Sequence, residues 1–113
     1  MTIFEKIAAK EIPADVVFED EDFMAFRDTR PQAPVHVLIV PRRCIPRVGE
    51  ADATRDAAVL GRMLCATSEI ARRCGVAETG YRLVINNGRD AGESVPHLHI
   101  HLLGGRALHW PPG

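Results

Sequence analysis

The amino-acid sequence predicts an α+β domain built on a five-stranded antiparallel sheet with two helices. Three observations favour this fold class. Five short apolar segments have the length of strands, only two segments repeat apolar residues at helical spacing, and the two kinds do not alternate as in a parallel sheet. The chain has 113 residues, 46% of them hydrophobic, which is enough for one core. We therefore expect residues 1–113 to form a single domain.

The first elements are a short helix and a hairpin. Apolar side chains at helical spacing predict the helix over residues 2–9, and Pro13 prevents its continuation. Two apolar runs, 16–18 and 23–26, flank four acidic residues, and this pattern is typical of a hairpin. The first two strands should therefore pair with each other.

A proline-containing loop and an apolar strand precede the main helix. Pro31-Gln32-Ala33-Pro34 is rigid because both prolines fix φ, and it leads into a strand over residues 35–40. Apolar residues in steps of three and four predict a long amphipathic helix over 52–74. Asp52 can cap its start, and Gly75 suits the position just after its end.

The last two strands are predicted over residues 81–85 and 97–103. A polar, glycine-containing loop at 86–94 joins them. A connection of this length between adjacent strands is more often functional than decorative. We therefore expect functional residues in this loop and in the strand that follows it.

Composition and charge limit the partners and the compartment. The net charge is −1 and the signs alternate along the chain, which disfavours binding to nucleic acid or to an anionic membrane. No apolar run approaches the ~20 residues that cross a bilayer, and the N-terminus lacks the pattern of a signal peptide. We expect a cytoplasmic protein. Cys44, Cys65 and Cys74 lack the spacing of a disulfide framework or of a thiolate metal site.

The last strand carries three histidines in alternation. Alternate side chains of a strand share a face, so His97, His99 and His101 project to one side, with roughly 7 Å between successive Cα atoms. The intervening apolar residues face the other side, where they can pack on the long helix: Leu98, Ile100 and Leu102.

Three interpretations of these histidines are open. They could decorate a half-exposed sheet, although three titrating rings would then crowd together without gain. They could hold zinc with a further nitrogen from His36, but no thiol or carboxylate lies at a companion spacing. They could attack phosphorus, because a neutral imidazole is a nucleophile near neutral pH and its neighbours can fix its tautomer. We favour the third interpretation, in an enzyme that requires no metal.

The loop before the strand suits the same chemistry. The backbone N–H groups of Gly92, Glu93, Ser94 and Val95 can turn towards an anion. The Ser94 hydroxyl can donate to a leaving group or to a phosphate oxygen. On its own Ser94 would be a turn residue, but its place three residues before His97 makes it a candidate.

The motif His97-Leu98-His99-Ile100-His101-Leu102-Leu103 resembles that of the histidine triad (HIT) proteins. Four other parts of the chain are similar to the Hint branch of that family: Ile3-Phe4 to Phe18-Glu19-Asp20, Pro31 to Pro34 with His36, Asn86 with Gly88, and the tail from Gly104 to Gly113. The resemblance covers nearly the whole chain.

The resemblance implies a purine nucleoside phosphoramidase that needs no cofactor. His99 would form a covalent nucleotidyl intermediate, which water would release as a nucleoside monophosphate. His97 and His36 would support the cluster, His101 would bond near the scissile atom, and Ser94 would assist the departing amine. The resemblance also implies a homodimer in which two five-stranded sheets join into one of ten strands, with the tail, about 104–113, at the interface.

The resemblance further implies a pocket for a purine nucleotide such as a conjugate of AMP or GMP. Asp28 would bind the ribose hydroxyls, and Asn86 would contact the nucleotide between ribose and phosphate. The base would lie in an apolar slot that includes Ile3, Phe4, Val17 and Phe26. Trp110, in the proline-rich tail, would pack against the partner subunit and shape its site.

Two positions depart from the pattern of the branch. Cys44 stands where a histidine is common, and it is expected to lie outside the chemistry. Glu93 stands where a glutamine is common, and its carboxylate would repel the phosphate unless it is protonated or turned away.

Two other functions remain open. Hydrolysis of dinucleoside polyphosphates belongs to another branch of the same family, and the tail disfavours it. A nucleotide-binding regulatory or interaction protein would hydrolyse its ligand only incidentally.

Overall fold

The computed structural model describes residues 1–113. Its elements are α1 (Ile3–Ala8), β1 (Val16–Glu19), β2 (Phe23–Arg27), β3 (Val35–Pro41), α2 (Ala57–Arg73), β4 (Tyr81–Val84) and β5 (Ile100–Gly104). The strands form one sheet in the order β1-β2-β3-β5-β4, and every pair is antiparallel. The predicted fold class and the hairpin of the first two strands are confirmed.

Helix α1 is short and has a complete N-terminal cap. The Thr2 hydroxyl accepts a hydrogen bond from the Glu5 N–H (3.1 Å), and the Glu5 carboxylate accepts one from the Thr2 N–H (2.8 Å). These reciprocal bonds satisfy donors that the first turn of a helix leaves free. The helix therefore begins at Ile3, one residue later than predicted.

The predicted start of the long helix at Asp52 is wrong. The Asp52 carboxylate accepts from the N–H groups of Thr54 (2.9 Å) and Arg55 (2.6 Å), so it stabilises a separate turn. The buried Asp56 carboxylate accepts from the Asp52 N–H (2.8 Å) and completes that turn. Local side-chain bonds of this kind compete with helix formation, and α2 begins only at Ala57.

The predicted end of the long helix is close to the observed one. Gly75 follows the C-cap with φ of 79°, a conformation that side chains with a Cβ rarely adopt. Its N–H donates to the Arg72 carbonyl (3.2 Å), and the Val76 N–H donates to the Ala71 carbonyl (3.0 Å). This pair of bonds is the Schellman arrangement that ends a helix.

The two helices lie on opposite faces of the sheet. One core lies under α2, where Met63, Ile70 and Ala71 pack against inward side chains of the sheet such as Val37 and Ile39. A second core lies under α1, and it contains six buried residues: Phe4, Ile7, Met24, Phe26, Leu38 and Val40. Because neighbouring residues of a strand point to opposite faces, β2 and β3 contribute to both cores.

The last strand begins later than predicted, at Ile100 rather than His97. Pro96 has no N–H to donate, and the backbone around it turns, with the His97 N–H donating to the Val95 carbonyl (2.8 Å). The Leu98 N–H then donates to the Ile45 carbonyl (2.6 Å). Leu98, Ile100 and Leu102 still pack in the core under α2, as predicted.

No helix of the structure combines the length and the apolar character that a bilayer crossing requires.

Candidate active site

A cavity of about 760 Å³ lies between α1, the segment before β1, the end of β2 and the histidine segment. Its apolar wall includes Ile3, Phe4, Ile12, Phe26, Leu38 and Val95. Its polar lining includes Asp28, Ser94, His99 and His101. The cavity therefore has an apolar part and a part with hydrogen-bonding and nucleophilic groups, the usual composition of a small-molecule site.

Four histidine rings and one phenylalanine form a continuous cluster beside this cavity. The His101 ring centroid lies 5.0 Å from that of His99 and 5.2 Å from that of His36. The Phe4 ring contacts His99 (5.0 Å) and His97 (5.7 Å) edge to face. His36 and His97 do not line the cavity, so they act behind His101 and His99.

The backbone fixes the tautomer of His36 and, through it, that of His101. The Gln32 N–H donates to His36 Nδ1 (3.0 Å), so the proton of the neutral His36 ring is on Nε2. His36 Nε2–H donates to His101 Nδ1 (2.9 Å). The neutral His101 ring therefore carries its proton on Nε2, where the N–H can donate a hydrogen bond to a ligand.

A carbonyl group fixes the tautomer of His99 in the opposite sense. His99 Nδ1 lies 2.8 Å from the His97 carbonyl oxygen, which can only accept, so Nδ1 carries the proton. His99 Nε2 is left with its lone pair. The cluster therefore presents one nucleophilic nitrogen and one N–H donor on neighbouring rings.

His97 is held from both sides and does not face the cavity. Its Nε2–H donates to the Pro41 carbonyl (2.7 Å), and its Nδ1 accepts from the Thr2 hydroxyl (2.9 Å). The ring is fully buried. Thr2 therefore has two functions, since it caps α1 and also fixes the ring of His97.

Burial and neighbouring charges keep the supporting histidines neutral. Burial lowers the pKa of His101 to about 4, and repulsion from His99 and His36 acts in the same direction. Burial also lowers the pKa of His36, against the attraction of the Asp28 carboxylate 3.5 Å away, and lowers the pKa of His97. Neutral rings retain the lone pairs on which this network depends.

The Glu93 carboxylate is turned onto Arg47 and does not line the cavity. Arg47 Nε and Nη2 donate to its two oxygens (2.8 and 3.0 Å), and the Gly88 N–H donates to one of them (3.0 Å). These bonds lower the pKa of Glu93 to about 2, the contribution of Arg47 being the largest. The sequence suggested that Glu93 would repel a phosphate unless it is protonated or turned away. In the structure Glu93 is ionised and turned away from the cavity.

One predicted lining residue lies on the wrong face of the sheet. Val17 packs beside the core under α2 and does not contact the cavity. The pairing of β1 with β2 shifts between Val16 and Phe18, which places Val17 and Phe18 on the same face. The apolar slot that the family resemblance implies therefore does not include Val17 in this structure.

Other predicted residues lie outside the cavity of the single chain. Asn86 and Gly92 belong to the loop before the triad but do not line the cavity, and Trp110 is 80% exposed in the tail. Cys44 also lies outside, where its thiol contacts the Pro96 carbonyl (3.4 Å). The proposed roles of Asn86, Gly92 and Trp110 remain predictions.

Sequence reasoning missed several residues that build the site. Ile12, Pro13, Ala14 and Leu38 line the apolar wall. Thr2, Gln32 and Arg47 act one layer further out, on His97, His36 and Glu93. The sequence Thr-x-x-Glu before an apolar run could have revealed the cap at Thr2, but no local signal marks Gln32 or Arg47.

Two groups of side chains have donor atoms close enough to hold a metal ion. Glu5, Cys44 and His97 form one, and Asp28, His36 and His101 form the other; within each group the donor atoms lie within 4.8 Å of one another. Both ring nitrogens of His97 and of His36 are already hydrogen-bonded. A cation at either place would therefore have to replace part of the network that fixes the tautomers.

The chain is similar to known proteins over nearly its whole length. The HIT domain family matches residues 9–108. A HIT-like protein of Synechococcus elongatus is 54% identical over 99% of this chain and 96% of its own length. The purine nucleoside phosphoramidase of Escherichia coli K12 is 50% identical over 95% of this chain and 89% of its own length.

A solved structure shows the same fold. The crystal structure of a HIT family hydrolase from Legionella pneumophila superimposes with a TM-score of 0.95 at 47% sequence identity and covers 100% of both chains.

Fold, motif and family match together define the class, and the chain belongs to the HIT domain family. Within that family it is an enzyme, a HIT family hydrolase.

Proposed function

We propose that this hydrolase cleaves the P–N bond of purine nucleoside 5'-phosphoramidates, with His99 as nucleophile. The observation that carries the proposal is the bond from His99 Nδ1–H to the His97 carbonyl, which leaves the Nε2 lone pair free beside the cavity. The 50% identity to a protein named purine nucleoside phosphoramidase supports this choice of substrate.

In the first step a bond forms between His99 Nε2 and the α-phosphorus while the P–N bond breaks. The departing amine takes a proton from solvent, and His101 Nε2–H and the Ser94 hydroxyl are the two groups positioned to donate hydrogen bonds to the reacting centre. The His99 ring becomes cationic, and the His97 carbonyl stabilises that charge through the short bond to Nδ1–H.

In the second step water attacks the phosphorus and the bond to His99 breaks. Nucleoside monophosphate leaves, and His99 regains its lone pair without a change of tautomer. The water proton returns to solvent, which balances the proton that the amine took up in the first step.

The rest of the cavity suits the nucleoside. The apolar wall around Phe4, Ile12 and Phe26 would hold the purine, and the Asp28 carboxylate would accept hydrogen bonds from the ribose hydroxyls. One Asp28 oxygen already accepts from the Arg30 N–H (2.8 Å), which fixes the orientation of the carboxylate.

Purified protein incubated with adenosine 5'-phosphoramidate should release AMP at the same rate with and without a chelator, because the proposed mechanism uses no metal. His99→Asn should abolish turnover, and Ser94→Ala should reduce kcat by about 10²-fold or less, since His101 remains as a donor. Covalent nucleotidyl protein should accumulate in neither variant beyond the wild-type amount.

Three outcomes would contradict this proposal. Release of AMP that the chelator stops would indicate metal catalysis. Full activity of His99→Asn would exclude the nucleophile. A preference for diadenosine polyphosphates, or AMP binding without turnover, would favour the other branch or a regulatory protein.

A further inference from the structure

The loop that leads to the histidine segment is tied to a distant part of the chain. The Gly49 N–H donates to Asn87 Oδ1 (2.7 Å), and Arg47 holds both oxygens of Glu93. The Glu93 N–H donates to the Gly88 carbonyl (3.2 Å), so residues 88–93 are also closed on themselves. The position of Glu93 is therefore fixed by Arg47 on one side and by Gly88 on the other.

In the sequence, Glu93 directly precedes the residues that line the part of the cavity proposed to receive the phosphate. Ser94 and Val95, the next two residues, line that cavity with His99. The Glu93 side chain is only 13% exposed, so water screens its charge poorly.

A carboxylate at this place opposes an anionic ligand unless a cation compensates it. Arg47 is the only basic side chain bonded to Glu93, and it binds it in the two-pronged geometry that guanidinium groups favour. Arg47 also pairs with Glu50, which keeps the guanidinium in position. Arg47 itself does not line the cavity.

We propose that Arg47 is a positioning residue that neutralises Glu93 and holds its carboxylate on Gly88, so that the phosphate of a nucleotide meets no uncompensated negative charge. This inference rests on the proposed function, because it assumes that a nucleotide phosphate binds beside Ser94 and His99. Arg47 acts through Glu93, and its effect should vanish when Glu93 is made neutral.

The test compares Arg47→Ala, Glu93→Gln and the double variant by calorimetric titration with AMP and with adenosine, and by steady-state hydrolysis of adenosine 5'-phosphoramidate. Arg47→Ala should weaken AMP binding about tenfold and raise KM more than it lowers kcat, because the unpaired carboxylate repels the phosphate. Adenosine has no phosphate, and its affinity should change less than about twofold.

The double variant decides between repulsion and simple loss of structure. Glutamine keeps an oxygen for the Gly88 N–H but carries no charge, so the double variant should bind AMP within about twofold of the Glu93→Gln protein. The loss in Arg47→Ala should also shrink at high salt. Arg62→Ala removes a different ion pair, the one with Asp22 outside the cavity. It is the matched control and should change neither AMP affinity nor turnover.

Unchanged AMP affinity in Arg47→Ala, or a double variant as weak as Arg47→Ala, would overturn the inference. If the variants show the expected AMP affinities but the wild-type chain does not hydrolyse the phosphoramidate, the inference would be supported and the proposed function refuted. A wild-type chain that does not bind AMP would overturn both.

Discussion

Each supporting histidine has a hydrogen-bond partner that specifies which nitrogen carries the proton. The Gln32 N–H directs His36, which directs His101, while the Pro41 carbonyl and the Thr2 hydroxyl direct His97. Burial lowers the pKa of each of these rings, so they are neutral near neutral pH and each keeps the tautomer that its partner specifies. The hydrogen bonds that orient the cluster are thus in place before a ligand binds.

We expect acid to destabilise the fold through His101. In the unfolded chain His101 binds a proton near its ordinary pKa of 6.5, but in the folded protein its pKa is about 4. Between these values the unfolded state binds more protons, so the free energy of unfolding falls as the pH falls. From about pH 7.5 to about pH 5 this loss is about 2 kcal/mol. Urea unfolding at both pH values measures it.

His101→Asn is the comparison for this prediction. It removes the titrating ring, so its free energy of unfolding should fall less between the two pH values than that of the wild type. An identical pH dependence in the two proteins would show that other groups cause the effect.

At the scale of elements, an irregular segment after β5 supports the loop that orients His36. Arg106, just after β5, donates from Nε and Nη2 to the Gln32 carbonyl (3.2 and 3.0 Å). Gln32 in turn fixes His36 through its N–H. The start of the tail is therefore coupled to the histidine cluster through the loop at 31–34.

Gly105→Ala should damage this coupling. A Cβ at Gly105 would lie 2.8 Å from Pro34 Cβ, and φ of 89° is strained for alanine. The substitution should lower the free energy of unfolding by about 1–3 kcal/mol and reduce turnover, because the loop that holds Gln32 must shift. Thermal unfolding and steady-state kinetics measure the two effects.

Gly61→Ala is the matched control, and it should raise the free energy of unfolding instead of lowering it. Gly61 lies exposed within α2, and a Cβ there meets no atom within 4 Å. Alanine should stabilise the helix by about 0.5–1 kcal/mol without a change in turnover. A stable, fully active Gly105→Ala protein would disprove the coupling.

The sequence predicted those elements whose signal is local. Short apolar runs, and in the last strand the alternation of histidines with apolar residues, predicted all five strands, since each strand shows its own pattern. The starts of α2 and β5 were not predictable in the same way, because they depend on Asp56 and on the Ile45 carbonyl, whose positions only the folded chain establishes. The bulge that moves Val17 to the other face also leaves no distinct trace in the sequence.

For the candidate site, spacing located His99, His101 and Ser94, and the structure brings them to one cavity. The partners that orient them could not be found from spacing. Thr2 bonds to His97 and Arg47 bonds to Glu93 across long stretches of chain. Such contacts depend on how the elements pack, which a single sequence does not state.

At the scale of the molecule, one edge of the sheet has the features of an association surface. β4 is an edge strand that pairs only with β5. Leu64 of α2 is 46% exposed. It lies one turn before Thr67, and the Thr67 hydroxyl is 3.5 Å from the Tyr81 hydroxyl in β4, so this part of α2 is next to the edge strand. Ile85, directly after β4, is also exposed at 38%. Unpaired backbone groups and exposed apolar side chains together favour strand addition.

We expect two chains to associate through β4 and form the ten-stranded sheet. Light scattering should then give a mass of twice 12.4 kDa. Leu64→Glu should shift the protein towards a monomer, because a charge would be buried at the interface. Trp110, the only tryptophan and 80% exposed in one chain, should change its fluorescence on dissociation.

Val16→Glu tests the other edge of the sheet. Val16 in β1 is 38% exposed, close to the exposure of Leu64, so a change of the same kind is made at the opposite edge. It should leave the mass unchanged. A monomer in the wild type, or dissociation by Val16→Glu alone, would contradict association through β4.

The separation of the two cores by the sheet has a practical consequence for directed evolution. The core under α2 shares none of its buried residues with the core under α1, and none of its buried residues lines the cavity. A library randomised at Ile12, Pro13 and Ala14 would change the shape of the cavity wall while Met63, Ile70 and their neighbours keep the scaffold folded. Variants that accept other leaving groups or other nucleobases could then be selected without a prior increase in thermal stability.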